Sequence, residues 1–249
     1  STGASSATHG YTTGGYVNPA RYNEISKFQF NSSSNATDVG DMTTTRQSPT
    51  QTNSETHGYS VGGATGLPTG ASIDKFTFAS DANGTDVGDL NINLSTGAGS
   101  ASTTHGYVAG KDVGSPVPNH KIEKFTFASD GNATSVGNLT ASTYISYCAG
   151  SSSSTHGYRH GGGEGAANTR DNVIDRFAFA SDGDATDVGD LTQGRGNCGG
   201  SSSTTHGYCL GENPANIEKY AYASSGNATN IGNLAANQNV MAWPTGNQV

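Results

Sequence analysis

The sequence predicts an all-β fold, a five-bladed β-propeller with four antiparallel strands in each blade. Three observations predict it. The tetrapeptide Thr-His-Gly-Tyr occurs five times in 249 residues, at intervals of 48 to 51 residues (His9, His57, His105, His156 and His206). Each copy is followed by the same succession of short alternating and glycine-containing segments, and no segment has the apolar spacing of an amphipathic helix. A repeat of about 50 residues with four short strands is typical of a propeller blade.

The composition limits how such a fold can be built. Ile, Val, Leu and Phe together number only 35 of the 249 residues, below the roughly 20% that separates folded from disordered chains. Charged residues make up only 13% and the net charge is −8, so the chain lacks the strong self-repulsion of a disordered protein. A packed core is therefore expected only if a few apolar residues recur with strict regularity.

Charge and hydropathy exclude two classes of partner. Lys and Arg number 12 against 20 Asp and Glu, and no basic cluster occurs, which argues against nucleic-acid binding. No apolar run approaches the roughly 18 residues of a membrane-spanning helix. We therefore expect neither a nucleic-acid partner nor membrane insertion.

The first strand of each blade is predicted from the small residues that precede each histidine. Ser, Thr, Gly and Ala dominate residues 2–7, 98–103, 149–154 and 199–204, whereas residues 50–55 are bulkier. Innermost strands of a propeller converge on its axis, so small side chains are expected there.

The second strand follows the tetrapeptide and ends near a Gly-Gly or Gly-Lys/Glu pair. We predict that His-Gly itself is the two-residue hairpin turn between the first two strands, with the histidine at positive φ. The alternative is that the five histidines hold a metal ion or an anion near the axis. A fivefold arrangement suits no common transition metal, so no metal and no cofactor is predicted.

The third and fourth strands complete each blade. The third is the motif Ile-x-Lys/Arg-aromatic-x-aromatic, which begins at Ile25, Ile73, Ile122, Ile174 and Ile217. Its alternation puts the two aromatic residues on one face, where they can pack one sheet on the next. The fourth is the segment Thr-x-Val/Ile-Gly-Asp/Asn-Leu/Met, which begins at Thr37, Thr85, Thr134, Thr186 and Thr229.

The repeat boundaries predict a single propeller over residues 1–234. Its blades are expected at about 1–45, 46–94, 95–143, 144–195 and 196–234. Residues 235–249 align with the connection and inner strand of a further blade. They are expected to form a closing or capping C-terminal segment, and a parent array of six or more blades is the alternative.

This repeat resembles kelch-type propellers over essentially the whole chain. The resemblance rests on the small-residue strand, the Gly-Tyr-x-x-Gly-Gly strand, the Ile-x-x-Phe strand and a closing strand followed by arginine, as at Arg46 and Arg195. The tryptophan usual three residues before the closing leucine is replaced by Val39, Val87, Val136, Val188 and Ile231. The tandem units also resemble repeats of tail-fibre and other structural proteins of marine phages. That resemblance implies a virion surface, with an extracellular location as the alternative.

Candidate binding residues are those that vary between blades. The loops after the second strand and the connections between blades are expected on one face, where a rigid scaffold can present them. These positions include Tyr16, Arg21, Tyr22, Arg46, His120, Tyr144, Tyr147, His160, Arg170, Arg195 and Trp243. They predict a non-catalytic recognition or structural module that binds host-surface carbohydrate or another virion or surface protein. The alternative is a secreted lectin-like or kelch-type protein-interaction propeller.

Two of the three cysteines, Cys148 and Cys198, are expected to be free, buried thiols. Cys148 and Cys198 each lie eight residues before the histidine of their blade. They therefore occupy equivalent places on neighbouring inner strands, which are usually too far apart for a disulfide. Cys209 has no obvious partner in the pattern.

Overall fold

The computed structural model describes residues 2–65, 70–111, 120–140, 145–163, 170–211 and 215–236. In these residues twenty strands form five separate four-stranded antiparallel sheets, each in chain order from its first to its last strand. The predicted five-bladed propeller with four strands per blade is confirmed. Inner strands of consecutive blades contact one another from the first sheet to the fifth.

The strands follow the repeat closely. Blade 1 contains β1 (Thr2–Ser5), β2 (His9–Val17), β3 (Ala20–Gln29) and β4 (Thr37–Asp41). Blade 2 contains β5 (Thr50–Asn53), β6 (His57–Val61), β7 (Ser72–Thr77) and β8 (Thr85–Asp89), and blade 3 contains β9 (Ala98–Ala101), β10 (His105–Lys111), β11 (His120–Thr126) and β12 (Thr134–Asn138). Blade 4 contains β13 (Ala149–Ser152), β14 (His156–His160), β15 (Val173–Ala178) and β16 (Thr186–Asp190), and blade 5 contains β17 (Gly199–Ser202), β18 (His206–Leu210), β19 (Asn216–Ala221) and β20 (Thr229–Asn233).

The predicted blade boundaries at 46, 95, 144 and 196 fall between the last strand of one sheet and the first strand of the next. Of the predicted C-terminal segment 235–249, only residues 235 and 236 belong to the described part. The closing or capping role of this segment therefore stays a prediction.

Antiparallel order assigns the loops to two faces. The second-to-third-strand loops and the connections between blades lie at one end of the sheets, which we call the connection face. The first-to-second-strand turns and the third-to-fourth-strand turns lie at the other end, which we call the turn face. Those variable residues of the sequence that the structure describes therefore lie towards the connection face.

Aromatic rings join consecutive blades, as the period-two motif predicts. The tetrapeptide tyrosines of blades 1 to 4 stack on the second aromatic residue of the following blade, with centroids 4.8–5.0 Å apart and planes 23–26° apart. These pairs are Tyr11–Phe78, Tyr59–Phe127, Tyr107–Phe179 and Tyr158–Tyr222. Such stacked pairs add about 0.5–1.5 kcal/mol each beyond the area they bury.

The aromatic pair of blade 1 differs from its counterparts. Phe28 is 40% and Phe30 is 55% exposed, whereas the equivalent Phe76 and Phe125 are 2% and 4% exposed. In blades 2 and 3 this ring is covered by a tyrosine of the preceding blade, Tyr11 for Phe76 and Tyr59 for Phe125.

The prediction that His-Gly forms the hairpin turn is wrong. Each of the five histidines is the first residue of a strand, and none has positive φ. The turn is made by the residues before it. In blade 1 the Ser6 hydroxyl accepts hydrogen bonds from the backbone N–H groups of Thr8 and His9, and the Thr8 hydroxyl lies 2.8 Å from Nδ1 of His9.

The glycine of the tetrapeptide is required for packing, and the predicted turn position is wrong. A Cβ atom on Gly10 would lie 2.3 Å from Cζ of Phe28 on the neighbouring strand. The same clash would occur in the other four blades, at 2.2–2.4 Å. The glycine therefore makes room for the aromatic ring of the third strand, and this steric requirement explains why it recurs.

The small residues of the inner strands are explained by close approach between blades, as predicted. A Cβ atom on Gly150 would lie 2.3 Å from the carbonyl oxygen of Gly99, and one on Gly200 would lie 2.1 Å from that of Gly150. In the bulkier inner strand of blade 2, the buried Gln51 amide donates to the hydroxyl of Thr13 in blade 1 at 2.5 Å.

Polar contacts also link consecutive blades. The ammonium group of Lys27 pairs with Asp81 of the next blade, and Lys75–Asp130 and Lys124–Asp182 repeat this pair at 2.5 Å. The backbone N–H of Asp41 donates to the side-chain oxygen of Asn83 at 3.0 Å.

Candidate recognition surface

The second-to-third-strand hairpin of blade 1 is longer than its counterparts. The strands β2 and β3 span nine and ten residues, against five to seven in the other blades. A bulge at Gly14, where φ is +56°, lets the ladder continue. Beyond it Gly15 pairs with Tyr22, Tyr16 with Arg21 and Val17 with Ala20. The hairpin therefore extends from the connection face.

Three of the predicted binding residues come together on this hairpin. The Arg21 guanidinium lies 5.6 Å from the centroid of the Tyr16 ring, within the range of a cation–π contact. The Tyr16 hydroxyl donates to the side-chain oxygen of Asn18 at 3.1 Å. Tyr16 is 48%, Val17 67% and Tyr22 40% exposed. We call Tyr16, Val17, Arg21 and Tyr22 the hairpin patch. Tyr and Arg are the residue types that most often anchor protein interfaces.

Arg46 supports this hairpin from inside the fold. Its backbone N–H donates to the carbonyl of Tyr22, and its carbonyl accepts from the N–H of Gly15, both at 3.0 Å. Its guanidinium is fully buried, lies 3.0 Å from the Asp74 carboxylate and donates to the carbonyl of Gly62 at 3.1 Å. Arg46 therefore lies in the core and supports the hairpin patch, where the sequence had suggested a direct contact residue.

Arg195 occupies the corresponding position between blades 4 and 5 and is also buried. Its guanidinium pairs with Glu218 at 2.5 Å and donates to the carbonyl of Gly211 at 2.6 Å. Its side chain is 0% exposed. The structure thus corrects its assignment as an exposed binding residue.

Buried carboxylates, which the sequence interpretation missed, stabilise the connections between blades. Each belongs to the residue after the isoleucine of a third strand, and it accepts hydrogen bonds from the segment that follows the fourth strand of the preceding blade. For example, the N–H and hydroxyl of Thr43 both donate to Asp74. Three of these acids pair with a buried arginine, in Arg46–Asp74, Arg159–Asp175 and Arg195–Glu218. The signal was available, because four of the five repeats carry Asp or Glu at that position: Asp74, Glu123, Asp175 and Glu218.

The remaining predicted residues do not join the hairpin patch. His120 is 5% exposed, and its Nε2 accepts from the backbone N–H of Ile145 at 3.3 Å. Tyr147 is half-buried with φ of +59°, and Arg170 is exposed at a backbone bridge to Gly163. Tyr144 and Trp243 lie outside the described residues.

His160 lies in the interface between blades 4 and 5. It ends β14, while Cys198 directly precedes β17 and Cys209 lies in β18. One ring nitrogen of His160 and the two sulfur atoms lie within 4.8 Å of one another, and all three residues are 0% exposed. We call these three residues the blade 4–5 cluster. In the described part of the chain it is the one group of three close metal-ligating side chains, and it contains none of the tetrapeptide histidines.

The two thiols of this cluster differ in acidity. A hydrogen bond from the Cys209 thiol lowers the pKa of Cys198, and the charges of His160 and Arg195 act in the same direction. The same hydrogen bond, followed by burial, raises the pKa of Cys209 well above its usual range. By contrast, burial raises the pKa of Cys148 to about 12. Cys148 and Cys198 are free, buried thiols, as predicted, and Cys209 is a third.

Comparison with known proteins adds no relationship. No protein-family model matches this sequence, and no curated protein matches it. The resemblance to kelch and phage repeats therefore stays a prediction. Within the described residues no helix has the length and apolar character needed to cross a membrane.

Proposed function

We propose that this propeller is a non-catalytic recognition module that binds a protein surface through the hairpin patch of blade 1. The observation that carries the proposal is the extended hairpin, whose exposed Tyr16, Val17 and Tyr22 lie beside the Arg21 cation. A solvated β-hairpin has no intrinsic need for three exposed apolar or aromatic side chains, whereas interfaces are enriched in such groups.

A protein partner is favoured over a small ligand by the shape of this surface. Small-molecule sites are concave, whereas the hairpin extends beyond the bulge at Gly14. The resemblance to phage structural proteins that the repeats predict favours a virion surface as the setting and another virion protein or a host surface protein as the partner. A secreted microbial propeller is the alternative setting.

Host-surface carbohydrate is the second candidate partner, and the two exposed tyrosine rings favour it. A lectin that used the repeat itself would present the same residues on every blade. The hairpin patch occurs once, so a carbohydrate would bind at a single site on blade 1.

Binding of the labelled chain to intact bacterial cells, to a glycan array and to phage structural proteins tests this proposal. The variant Y16A/R21A/Y22A should lose at least about tenfold in affinity, since interface anchors contribute about 1–2 kcal/mol or more each. A matched control is N31A/N35A, which changes two exposed residues on the turn face. Equal binding by both variants would refute the hairpin patch as the site, and binding to the glycan array alone would favour the carbohydrate.

A further inference from the structure

The composition of the blade 4–5 cluster is not required by the fold. The same three positions between blades 2 and 3 hold Val61, Gly97 and Val108, and both valines belong to one apolar core cluster. Between blades 1 and 2, Thr13 and Ser60 at two of these positions form a hydrogen bond of 3.2 Å. An apolar pair or a neutral polar pair therefore suffices to pack this place.

The imidazole of His160 is buried, and its interaction with the Cys198 thiol is too long for a normal hydrogen bond. Neither Nδ1 nor Nε2 makes a hydrogen bond. The ring forms a T-shaped contact with the ring of Tyr220, with the two centroids 5.7 Å apart. Burying an unpaired polar atom costs about 1–3 kcal/mol. A bound metal ion would offset this cost by bonding to the ring nitrogen, which already lies within 4.8 Å of two sulfur atoms that could bind the same ion.

We propose that His160, Cys198 and Cys209 bind one Zn²⁺ ion, which links blade 4 to blade 5. Imidazole nitrogen and thiolate sulfur are the ligands that Zn²⁺ prefers, and three protein ligands leave its fourth position to water or another donor. Ligand atoms of a tetrahedral zinc site lie about 3.5–3.8 Å apart. The present separations of up to 4.8 Å therefore require only a small inward movement.

Charge balance favours Zn²⁺ over Cu⁺, which is also thiophilic. Two thiolates neutralise a divalent cation, so the loaded cluster would carry no net charge in the buried interface. With Cu⁺ the same ligands would leave a net negative charge. Arg195 does not compensate for it, because its guanidinium is already paired with Glu218 at 2.5 Å.

Titration of the full chain with Co²⁺ under reducing conditions, followed by displacement with Zn²⁺, tests the site. We expect one Co²⁺ per chain with the near-ultraviolet absorption of cobalt–thiolate bonds, and complete loss of that absorption when one equivalent of Zn²⁺ is added. Absence of the thiolate absorption, or uptake of Cu⁺ but not of Zn²⁺, would overturn the proposal.

Variants that carry the residues of the blade 2–3 interface at the equivalent positions separate the loss of Zn²⁺ binding from a loss of folding. H160V and C209V carry the valines of Val61 and Val108 and should weaken Zn²⁺ binding at least about 100-fold, since even the loss of an outer-shell partner costs 10- to 100-fold. C148A removes a buried thiol outside the cluster and should bind as the wild type does. Equal affinity in all three variants would overturn the site.

X-ray absorption spectroscopy of the zinc-loaded wild type identifies the ligand atoms around the metal. It requires no variant and therefore tests the site even if the variants fail to fold. Two sulfur ligands and at least one nitrogen are expected around the metal. A shell of oxygen and nitrogen alone would contradict the assignment.

Discussion

The aromatic contacts between blades can be measured by truncating the same ring in two blades. Phe125 and Phe28 each cover the glycine of their own tetrapeptide, but only Phe125 is also covered by a tyrosine of the preceding blade, Tyr59, at a centroid distance of 5.2 Å. Phe125 is 4% exposed and Phe28 is 40% exposed. The pair F125A and F28A therefore isolates the contribution of the neighbouring blade.

The expected difference follows from the buried area. Burying a Phe side chain removes about 200 Å² from water at about 25 cal/mol per Å², or about 5 kcal/mol in all. The difference in exposure between the two rings then corresponds to about 2 kcal/mol, and the lost aromatic pair adds about 0.5–1.5 kcal/mol. F125A should therefore be less stable than F28A by about 2–3 kcal/mol.

Thermal unfolding followed by near-ultraviolet circular dichroism measures this difference. A chain of this size loses about 2–4 °C of Tm per kcal/mol, so F125A should unfold about 4–12 °C below F28A. Equal Tm values for the two variants would refute the inference that Tyr59 stabilises this interface through Phe125.

Two further predictions concern buried charge. R46M leaves the Asp74 carboxylate buried without its cation and should cost about 3–5 kcal/mol, while R46M/D74N should recover much of that loss in denaturant unfolding. No recovery would mean that the unpaired carboxylate is not the cause of the loss, and no loss in R46M would mean that Arg46 acts through its backbone contacts alone. Burial, followed by nearby Lys or Arg side chains, lowers the pKa of His57, His105 and His156. The unfolded chain therefore takes up these protons at higher pH than the folded chain, and stability present above the ordinary pKa of about 6.5 is lost as the pH falls through the folded values. Tm should decrease from about pH 8 to about pH 5.5, and the triple variant with glutamine at these three positions should show a smaller decrease; an identical pH dependence would assign the effect to other groups.

The strand pattern could be predicted from the sequence because it depends on contacts that recur in every blade. The motif around Ile73 and Phe76 alternates with period two, and its isoleucine and first aromatic residue are buried in blades 2, 3 and 4. Twenty strands in five sheets follow from that regularity together with the small inner residues.

The role of the His-Gly pair could not be decided in the same way. A glycine after a histidine is compatible with a two-residue turn and equally with a gap for a ring. The ring that fills the gap at Gly10 belongs to Phe28, eighteen residues further along the chain. Only strand register brings the two together, and register is not evident from the tetrapeptide itself.

The candidate site was predictable only where neighbours in sequence are neighbours in space. Tyr16, Arg21 and Tyr22 belong to one hairpin, and the structure brings them together. Arg46 was misassigned because its partner, Asp74, belongs to another element of the next blade. A loop arginine and a core arginine look alike until the carboxylate opposite is known.

The contacts between blades also bear on how a chain of near-identical repeats selects its neighbours during folding. The stacked rings recur at four interfaces and the Lys–Asp pairs at three of the same four, so these contacts distinguish the correct partner poorly from a wrong one. The polar groups that occur at individual interfaces, such as Arg46 with Asp74 and the blade 4–5 cluster, do distinguish them, because a mispaired blade would bury one of these groups without its complement. The stability that a mispaired blade would lose thus favours the native order of the blades. It opposes exchange of blades between molecules and assembly of the ring in the wrong order.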